Sequence, residues 1–109
     1  MYKVLVACSA GMSTSMLVQK IQKEANAQEV DLSIEAVSMN EGKSLIKKND
    51  FDLLLLGPQV SFMQEEMQKI VNGRFPVKTI NQKDYGLMRA ESVLKDIIQT
   101  IDNPHHSID

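Results

Sequence analysis

Short apolar segments alternate with amphipathic segments along the chain. Segments 3–7 and 52–56 are almost continuously apolar, which is typical of strands covered on both faces of a sheet. Segment 32–38 alternates between apolar and polar positions and predicts an edge strand with one wetter face. Segment 76–80 starts at Pro76, and a strand tolerates proline at its first residue. The pattern therefore predicts four strands.

The segments that follow these strands carry apolar residues at helical spacing. In the first, the apolar positions are Leu17, Val18, Ile21 and Ala25. The predicted helices start near residues 13, 40, 62 and 87, and end near residues 25, 48, 71 and 101. Asn40 is expected to cap the second helix, and Asn72 with Gly73 is expected to end the third.

This order of elements predicts an α/β fold in a single domain. Strands connected through helices run parallel, and right-handed crossovers place helices on both faces of the sheet. A flavodoxin-like strand order, 2-1-3-4, reverses between strands 1 and 3, and ligands bind beyond the carboxyl ends of the strands at that point. Segments 8–15, 57–61 and 81–86 lie at that edge. We expect the domain to cover residues 1–102 and residues 103–109 to form a flexible tail.

Composition narrows the possible functions. Hydrophobic residues make up 43% of the 109 residues, which is enough for one core. The net charge of −2 and the pI of about 5.6 argue against a nucleic-acid role. A single cysteine excludes an intramolecular disulfide, and with two histidines in the tail it does not make a zinc site. No segment is long enough for a membrane span, so we expect a cytoplasmic protein without direct membrane insertion.

The segment between the first strand and the first helix carries the candidate chemistry. Its residues are Cys8, Ser9, Ala10, Gly11, Met12, Ser13, Thr14 and Ser15. Small residues let the backbone wrap around an anion, the hydroxyls donate hydrogen bonds, and the helix N-terminus supplies unpaired N–H groups. The same positive helix end favours a thiolate at Cys8. A lone cysteine is more often a small buried hydrophobic residue, but its place at the switch point favours a reactive role.

The groups that this segment lacks restrict the reaction. Cysteine phosphatases use a Cys-x5-Arg loop, whereas Thr14 stands at the arginine position. Neither Lys nor Arg occurs between Cys8 and Lys20, and no carboxylate lies in the loop to act as a general acid. A labile thiol ester of phosphate that is formed and given up easily suits a carrier better than a hydrolase. The residues therefore favour phosphoryl transfer through Cys8.

Three motifs together resemble one protein family. They are the segment 8–15, the turn Gly57-Pro58-Gln59-Val60, and Asp84-Tyr85-Gly86 with Met88. In this order they strongly resemble the lactose/cellobiose/chitobiose-type IIB components of the bacterial sugar phosphotransferase system. The resemblance runs from residue 3 to about residue 101.

The resemblance implies a phosphotransferase with Cys8 as its phosphocysteine site. A IIA component would supply the phosphoryl group from a phosphohistidine, and the membrane-embedded IIC component would present the sugar that receives it. In-line transfer requires an exposed sulfur at Cys8. The family fold is the four-stranded parallel sheet, with a loop like that of low-molecular-weight tyrosine phosphatases.

The resemblance also bears on cofactors and partners. No cofactor or metal is implied. We expect a monomer that meets the inner face of the membrane only transiently, through IIC. The sequence leaves the sugar open among cellobiose, chitobiose and lactose.

Residues outside the loop are weaker candidates. Gln59 has two possible roles. It could hydrogen-bond the phosphate or the neighbouring loop, or it could be a plain turn residue. Tyr85 is placed either to orient the rim of the site or to cover the edge of the core. Met12, Val60 and Phe62 surround the expected opening and are predicted to form an apolar docking surface. The other helical methionines, Met16, Met63 and Met67, are predicted to fill the core.

Two other functions are compatible with parts of the pattern. An FMN- or phosphate-binding flavodoxin-like module would use the same loop, but the chain has no Trp, only 5% aromatic residues and room for four strands. A cysteine phosphatase or arsenate reductase-like enzyme would use the same nucleophile, but Thr14 argues against it.

Overall fold

The computed structural model describes residues 1–9 and 12–102, and it contains one four-stranded sheet. The strands are β1 (Tyr2–Cys8), β2 (Leu32–Ser38), β3 (Leu53–Leu56) and β4 (Val77–Thr79). The helices are α1 (Met12–Ala27), α2 (Met39–Lys48), α3 (Gln64–Val71), α4 (Gln82–Gly86) and α5 (Ala90–Asp102). All neighbouring strands run parallel in the order β2-β1-β3-β4. The predicted fold class and strand order are confirmed.

Helices cover both faces of the sheet, as the crossover rule predicts. Helices α1 and α5 cover one face, and α2 and α3 cover the other. The first layer contains Val4, Val6, Leu17, Ile21, Leu53, Leu55, Leu94 and Ile97. The second contains Leu5, Ala7, Ile46, Leu54, Leu56, Met67 and Val71. Successive residues of β1 and β3 thus point into opposite layers, which explains why these strands read as continuous apolar runs.

Helix α2 starts from a different cap than predicted. The side chain of Ser38 accepts a hydrogen bond of 3.2 Å from the Glu41 amide, so Ser38 is the N-cap and the Asn40 assignment is wrong. The helix begins directly after β2 with no intervening loop. Asn40 consequently lies inside the first turn, where its side chain is exposed.

The segment after β4 also differs from the prediction. Residues 82–86 form the short helix α4, in which the Asn81 side chain accepts hydrogen bonds from the amides of Lys83 and Asp84. Met88 then takes a left-handed backbone conformation, with a φ of 53°, and α5 begins at Ala90. A helix cannot continue through a left-handed residue, so the predicted helix from residue 87 is wrong at its start.

The third helix is preceded by a tighter turn. Pro58–Met63 forms a 3-10 helix, and α3 follows from Gln64. Asn72 and Gly73 have positive φ values of 53° and 79°, which confirms the predicted end of the helix.

The sequence also predicts a flexible tail and no membrane span. Residues 103–109 lie outside the described part of the structure, so the boundary at residue 102 remains a prediction. Across residues 1–9 and 12–102, every helix is too short or too polar to cross a membrane.

Replacing Ser38 by alanine should lower the free energy of unfolding by about 1 kcal/mol, because the Glu41 amide loses its cap. Asn40→Ala is the matched control and should change it by less than about 0.5 kcal/mol, since Asn40 is exposed and caps nothing. Urea unfolding measures both. A larger loss for Asn40→Ala than for Ser38→Ala would contradict the observed cap.

Candidate functional site

Cys8 is the last residue of the central strand β1, at the carboxyl edge of the sheet. On one side it is in register with Ser38, the last residue of β2. On the other side, the Gly57 amide donates a hydrogen bond of 3.1 Å to the Ala7 carbonyl. The thiol therefore lies between two neighbouring chain segments, at the predicted switch point.

The thiol is less exposed than predicted. Only 3% of Cys8 is accessible, so the expectation of an exposed sulfur is wrong. The reason is the central position of β1, since Ser38 of β2 is in register with Cys8 on one side and Gly57 lies against the sulfur on the other. Cys8 nevertheless lines a cavity of about 240 Å³, with Thr14, Ser15, Ala36, Val37, Ser38 and Glu41 as the other lining residues.

Gly57 is required at its position for space. A Cβ atom there would lie 2.5 Å from Cys8 Sγ and 3.2 Å from Cys8 Cβ. Its φ of −64° and ψ of 151° are open to any residue, so conformational freedom does not explain the glycine. The sequence marks Gly57-Pro58 as a turn, but the pattern alone does not reveal that this glycine makes room for the Cys8 side chain.

Gln59 contacts the thiol of Cys8 directly. Its Oε1 atom accepts a hydrogen bond of 3.5 Å from Cys8 Sγ. Of the two interpretations of Gln59, the structure therefore supports a role next to the thiol over a plain turn residue. A carboxamide has an acceptor oxygen and a donor nitrogen, so a half-turn of its terminal bond would present N–H groups to the same place.

Tyr85 connects the third loop to the head of α1. Its hydroxyl lies 2.8 Å from Thr14 Oγ1, in a buried hydrogen bond. Thr14 is 3% exposed and Tyr85 is 9% exposed, and the tyrosine also packs in the core layer of α1 and α5. Tyr85 therefore covers the core edge and contacts a residue of the predicted phosphate loop, while its role in orienting the rim of the site stays a prediction.

The remaining loop residues are described only in part. Ser9, Ser13 and Ser15 are exposed, and Ser15 lines the Cys8 cavity together with Thr14. Ala10 and Gly11 lie outside the described residues. Helix α1 begins at Met12, and the first four amides of an α-helix have no acceptor within the helix. The cavity is thus bounded by the N-terminal turn of α1.

Glu41 is a cavity residue that the sequence pattern did not single out. It lies in the first turn of α2 and lines the same cavity as Cys8. It is the one residue with a charged side chain among the described lining residues. The signal was present as Ser38-x-x-Glu41, a capping sequence that follows the edge strand at the same edge of the sheet.

Several large apolar side chains are exposed near this edge. Met12, Met16, Phe62 and Leu87, which we call the apolar rim, are 82%, 48%, 78% and 62% exposed. Met12, Phe62 and Leu87 lie in or next to the connections that follow β1, β3 and β4. Met16 lies one turn further along α1. The exposure of Met12 and Phe62 agrees with the predicted docking surface.

Two apolar predictions are wrong. Val60 is only 5% exposed and packs with Leu56 and Met67, because the 3-10 turn directs it into the core layer of α2 and α3. Met16 is half-exposed on α1 and does not fill the core. Met67 is fully buried and Met63 is partly buried, as predicted.

The chain is similar to proteins of one family. A family model described as the lactose/cellobiose-specific IIB subunit of the PTS system matches residues 3–96. The galactose-specific EIIB component of Lactococcus lactis subsp. cremoris is 41% identical over 84% of this chain and 88% of its own length. The cellobiose-specific EIIB component of Lactococcus lactis subsp. lactis is also 41% identical, with the same coverage of both chains.

A solved structure supports the same relationship. The solution structure of the cellobiose-specific phosphotransferase IIB component from Borrelia burgdorferi superposes with a TM-score of 0.74 at 37% identity. The match covers 94% of this chain and 93% of that one. The sequence similarity and the fold therefore point to the same family.

Gly57→Ala should lower the free energy of unfolding by about 1–3 kcal/mol, because the new methyl group would overlap Cys8 Sγ. In a Cys8→Ala background the same substitution should cost less, since the sulfur is gone. Gly86→Ala is the control and should be nearly neutral, because an added Cβ there would meet nothing within 4 Å. Equal costs in both backgrounds, measured by urea unfolding, would contradict the contact.

Thr14→Val should lower the free energy of unfolding by about 1–3 kcal/mol, because it leaves the buried Tyr85 hydroxyl without its partner. The double variant Thr14→Val/Tyr85→Phe should lose less than the sum of the single variants. A thermodynamic cycle of the four proteins measures this coupling. Additive losses would show that the two hydroxyls do not stabilise each other.

Proposed function

The chain belongs to the lactose/cellobiose-specific IIB family of the carbohydrate phosphotransferase system, and on that premise we propose that it carries a phosphoryl group on Cys8. A phosphohistidine of a IIA component is the donor, and a sugar held by a membrane IIC component is the acceptor. The observation that supports this most directly is the place of Cys8, beside a cavity bounded by the first turn of α1.

The proposed reaction consists of two transfers. In the first, the Cys8 thiolate attacks phosphorus, the S–P bond forms, and the N–P bond breaks as its electron pair returns to the imidazole, which takes up a proton. In the second, a sugar hydroxyl attacks phosphorus, the O–P bond forms, and sulfur leaves as thiolate while the hydroxyl proton passes to a base or to solvent. Each step requires donor, phosphorus and acceptor to lie in line.

The cavity suits a phosphoryl group in size. A water molecule takes up about 30 Å³ in the liquid, so about 240 Å³ leaves room for the phosphoryl oxygens beside Cys8. Amides of the first turn of α1 stabilise the negative charge there. The Gln59 carboxamide oxygen accepts a hydrogen bond from the thiol. If the carboxamide rotates by half a turn, its N–H groups take the place of this oxygen and donate to the phosphoryl oxygens. The proposal needs no cofactor.

Glu41 favours onward transfer in this scheme. A carboxylate that shares the cavity repels a phosphoryl dianion, and this repulsion raises the free energy of the phosphorylated state. Because Glu41 is exposed, solvent screens the repulsion and keeps it moderate. The helix amides stabilise the phosphocysteine and Glu41 destabilises it. Together they would allow the phosphocysteine to form and also to transfer its phosphoryl group easily.

The apolar rim provides the contact surface for partners in the proposed cycle. Phe62 and Met12 are about four-fifths exposed and lie at the edge where Cys8 is reached. Exposed apolar groups of this kind are typical of interaction surfaces. We place the chain in the cytoplasm as a monomer, with transient contact to the membrane through IIC. A β-linked disaccharide of the cellobiose, chitobiose or lactose type is the proposed class of sugar.

Cys8→Ala and Cys8→Ser should lose the phosphoryl label completely, because no other thiol is present. The measurement is intact mass after incubation with phosphoenolpyruvate, the general phosphotransferase proteins and a IIA component. The control replaces His105 and His106, the chain's two histidines, by alanine and should retain the full label. Labelling of the folded Cys8 variants to the wild-type level would refute the proposal.

A further inference from the structure

A second surface, between α1 and α5, has an unusual charge for this chain. A groove of about 870 Å³ there carries four cations and two carboxylates, and we call it the basic groove. Its charged residues are Lys20, Lys23, Arg89, Lys95, Glu24 and Glu91. The groove has an excess of two positive charges, whereas the whole chain carries −2.

The lysines of the basic groove are available for an external partner. Lys20, Lys23 and Lys95 are exposed, and across residues 1–9 and 12–102 none of them lies within 4.0 Å of a carboxylate oxygen. The carboxylate of Glu24 already accepts a hydrogen bond of 2.9 Å from Gln28. Arg89 lies 3.9 Å from a carboxylate oxygen of Asp84, so the positive charge available to a partner is that of the three lysines.

The basic groove continues the apolar rim. On α1, Met12, Met16, Lys20 and Lys23 are spaced by four, four and three residues, so they share one face of the helix. On the opposite wall, Leu87 of the rim is followed at once by Met88 and Arg89 of the groove. A protein that covers the rim above Cys8 and extends along α1 would reach the groove.

We propose that the basic groove receives an acidic surface of the phosphohistidine donor, the IIA component. This inference rests on the proposed function, because it names the partner of the same site. Complementary charge outside the reacting centre steers association and sets its rate. A complementary mixed surface also explains why carboxylates stand among the lysines.

Two other occupants fit the groove less well. The membrane component is disfavoured because cytoplasmic loops of membrane proteins carry an excess of Lys and Arg, which the groove would repel. A small anion such as phosphate is disfavoured because Glu24 and Glu91 line the groove and its lysines are exposed to solvent. An acidic protein surface meets neither objection, because the lysines attract it and a protein surface of mixed charge can also pair with Glu24 and Glu91.

The test is the triple variant Lys20→Gln/Lys23→Gln/Lys95→Gln. We expect its second-order rate of Cys8 phosphorylation by phosphorylated IIA to fall about tenfold at low ionic strength. The two proteins should react at similar rates near 1 M salt, where the screening length is about 3 Å. Rapid-quench labelling across a salt series measures both rates, and thermal unfolding establishes that the variant is folded.

The matched control is Lys47→Gln/Lys48→Gln/Lys69→Gln. It removes the same charge from exposed lysines of α2 and α3, which pack on the opposite face of the sheet. Its rate should stay within about twofold of wild type, with the wild-type dependence on salt.

The possible results distinguish a failure of the basic-groove proposal from a failure of the proposed function. Wild-type Cys8 that is never labelled would overturn both. Normal labelling with an unchanged rate and salt dependence in the Lys20/Lys23/Lys95 variant would overturn the inference alone. An equal loss of rate in the control variant would also overturn the inference. So would a loss confined to the transfer from the phosphorylated chain to sugar at IIC. Binding of anionic vesicles or inorganic phosphate that depends on the three lysines would overturn it as well.

Discussion

The close approach of Cys8 and Gly57 governs the rest of the site. The sulfur ends the central strand of a parallel sheet, where backbone lies on both sides, and the neighbouring segment leaves no space for a single added methyl group. Cys8 also lines the cavity at the head of α1. In the proposed function, the position of the sulfur is therefore set by the backbone of the sheet and of the segment at Gly57.

Most of the fold could be predicted because apolar spacing reports burial. The continuous run in β3 and the alternation in β2 distinguish a central strand from an edge strand, and with parallel connections they leave few possible strand orders. Spacing does not report local backbone conformation. Leu87 matches the period of α5 whether or not it is helical, so the left-handed turn at Met88 and the short helix α4 were not predictable in this way.

The site was predictable to the extent that it follows from strand ends. Cys8, Gln59 and Tyr85 all lie in connections at the carboxyl edge, and the structure brings Cys8 to Gln59 and Thr14 to Tyr85. Glu41 was missed because it belongs to the connection after the edge strand β2, away from the predicted switch point. The burial of Cys8 and Val60 was missed for another reason. It depends on how closely neighbouring segments pack, and a one-dimensional pattern contains no such distances.

The distribution of charge distinguishes the Cys8 cavity from the basic groove in the proposed cycle. Among the described residues that line the cavity, Glu41 is the one with a charged side chain, so in the proposed function amides and hydroxyls would bind the phosphoryl group. A lysine or arginine at that place would stabilise the phosphocysteine and slow its discharge. Positive charge lies instead in the basic groove, where it can raise the rate of encounter with an acidic donor.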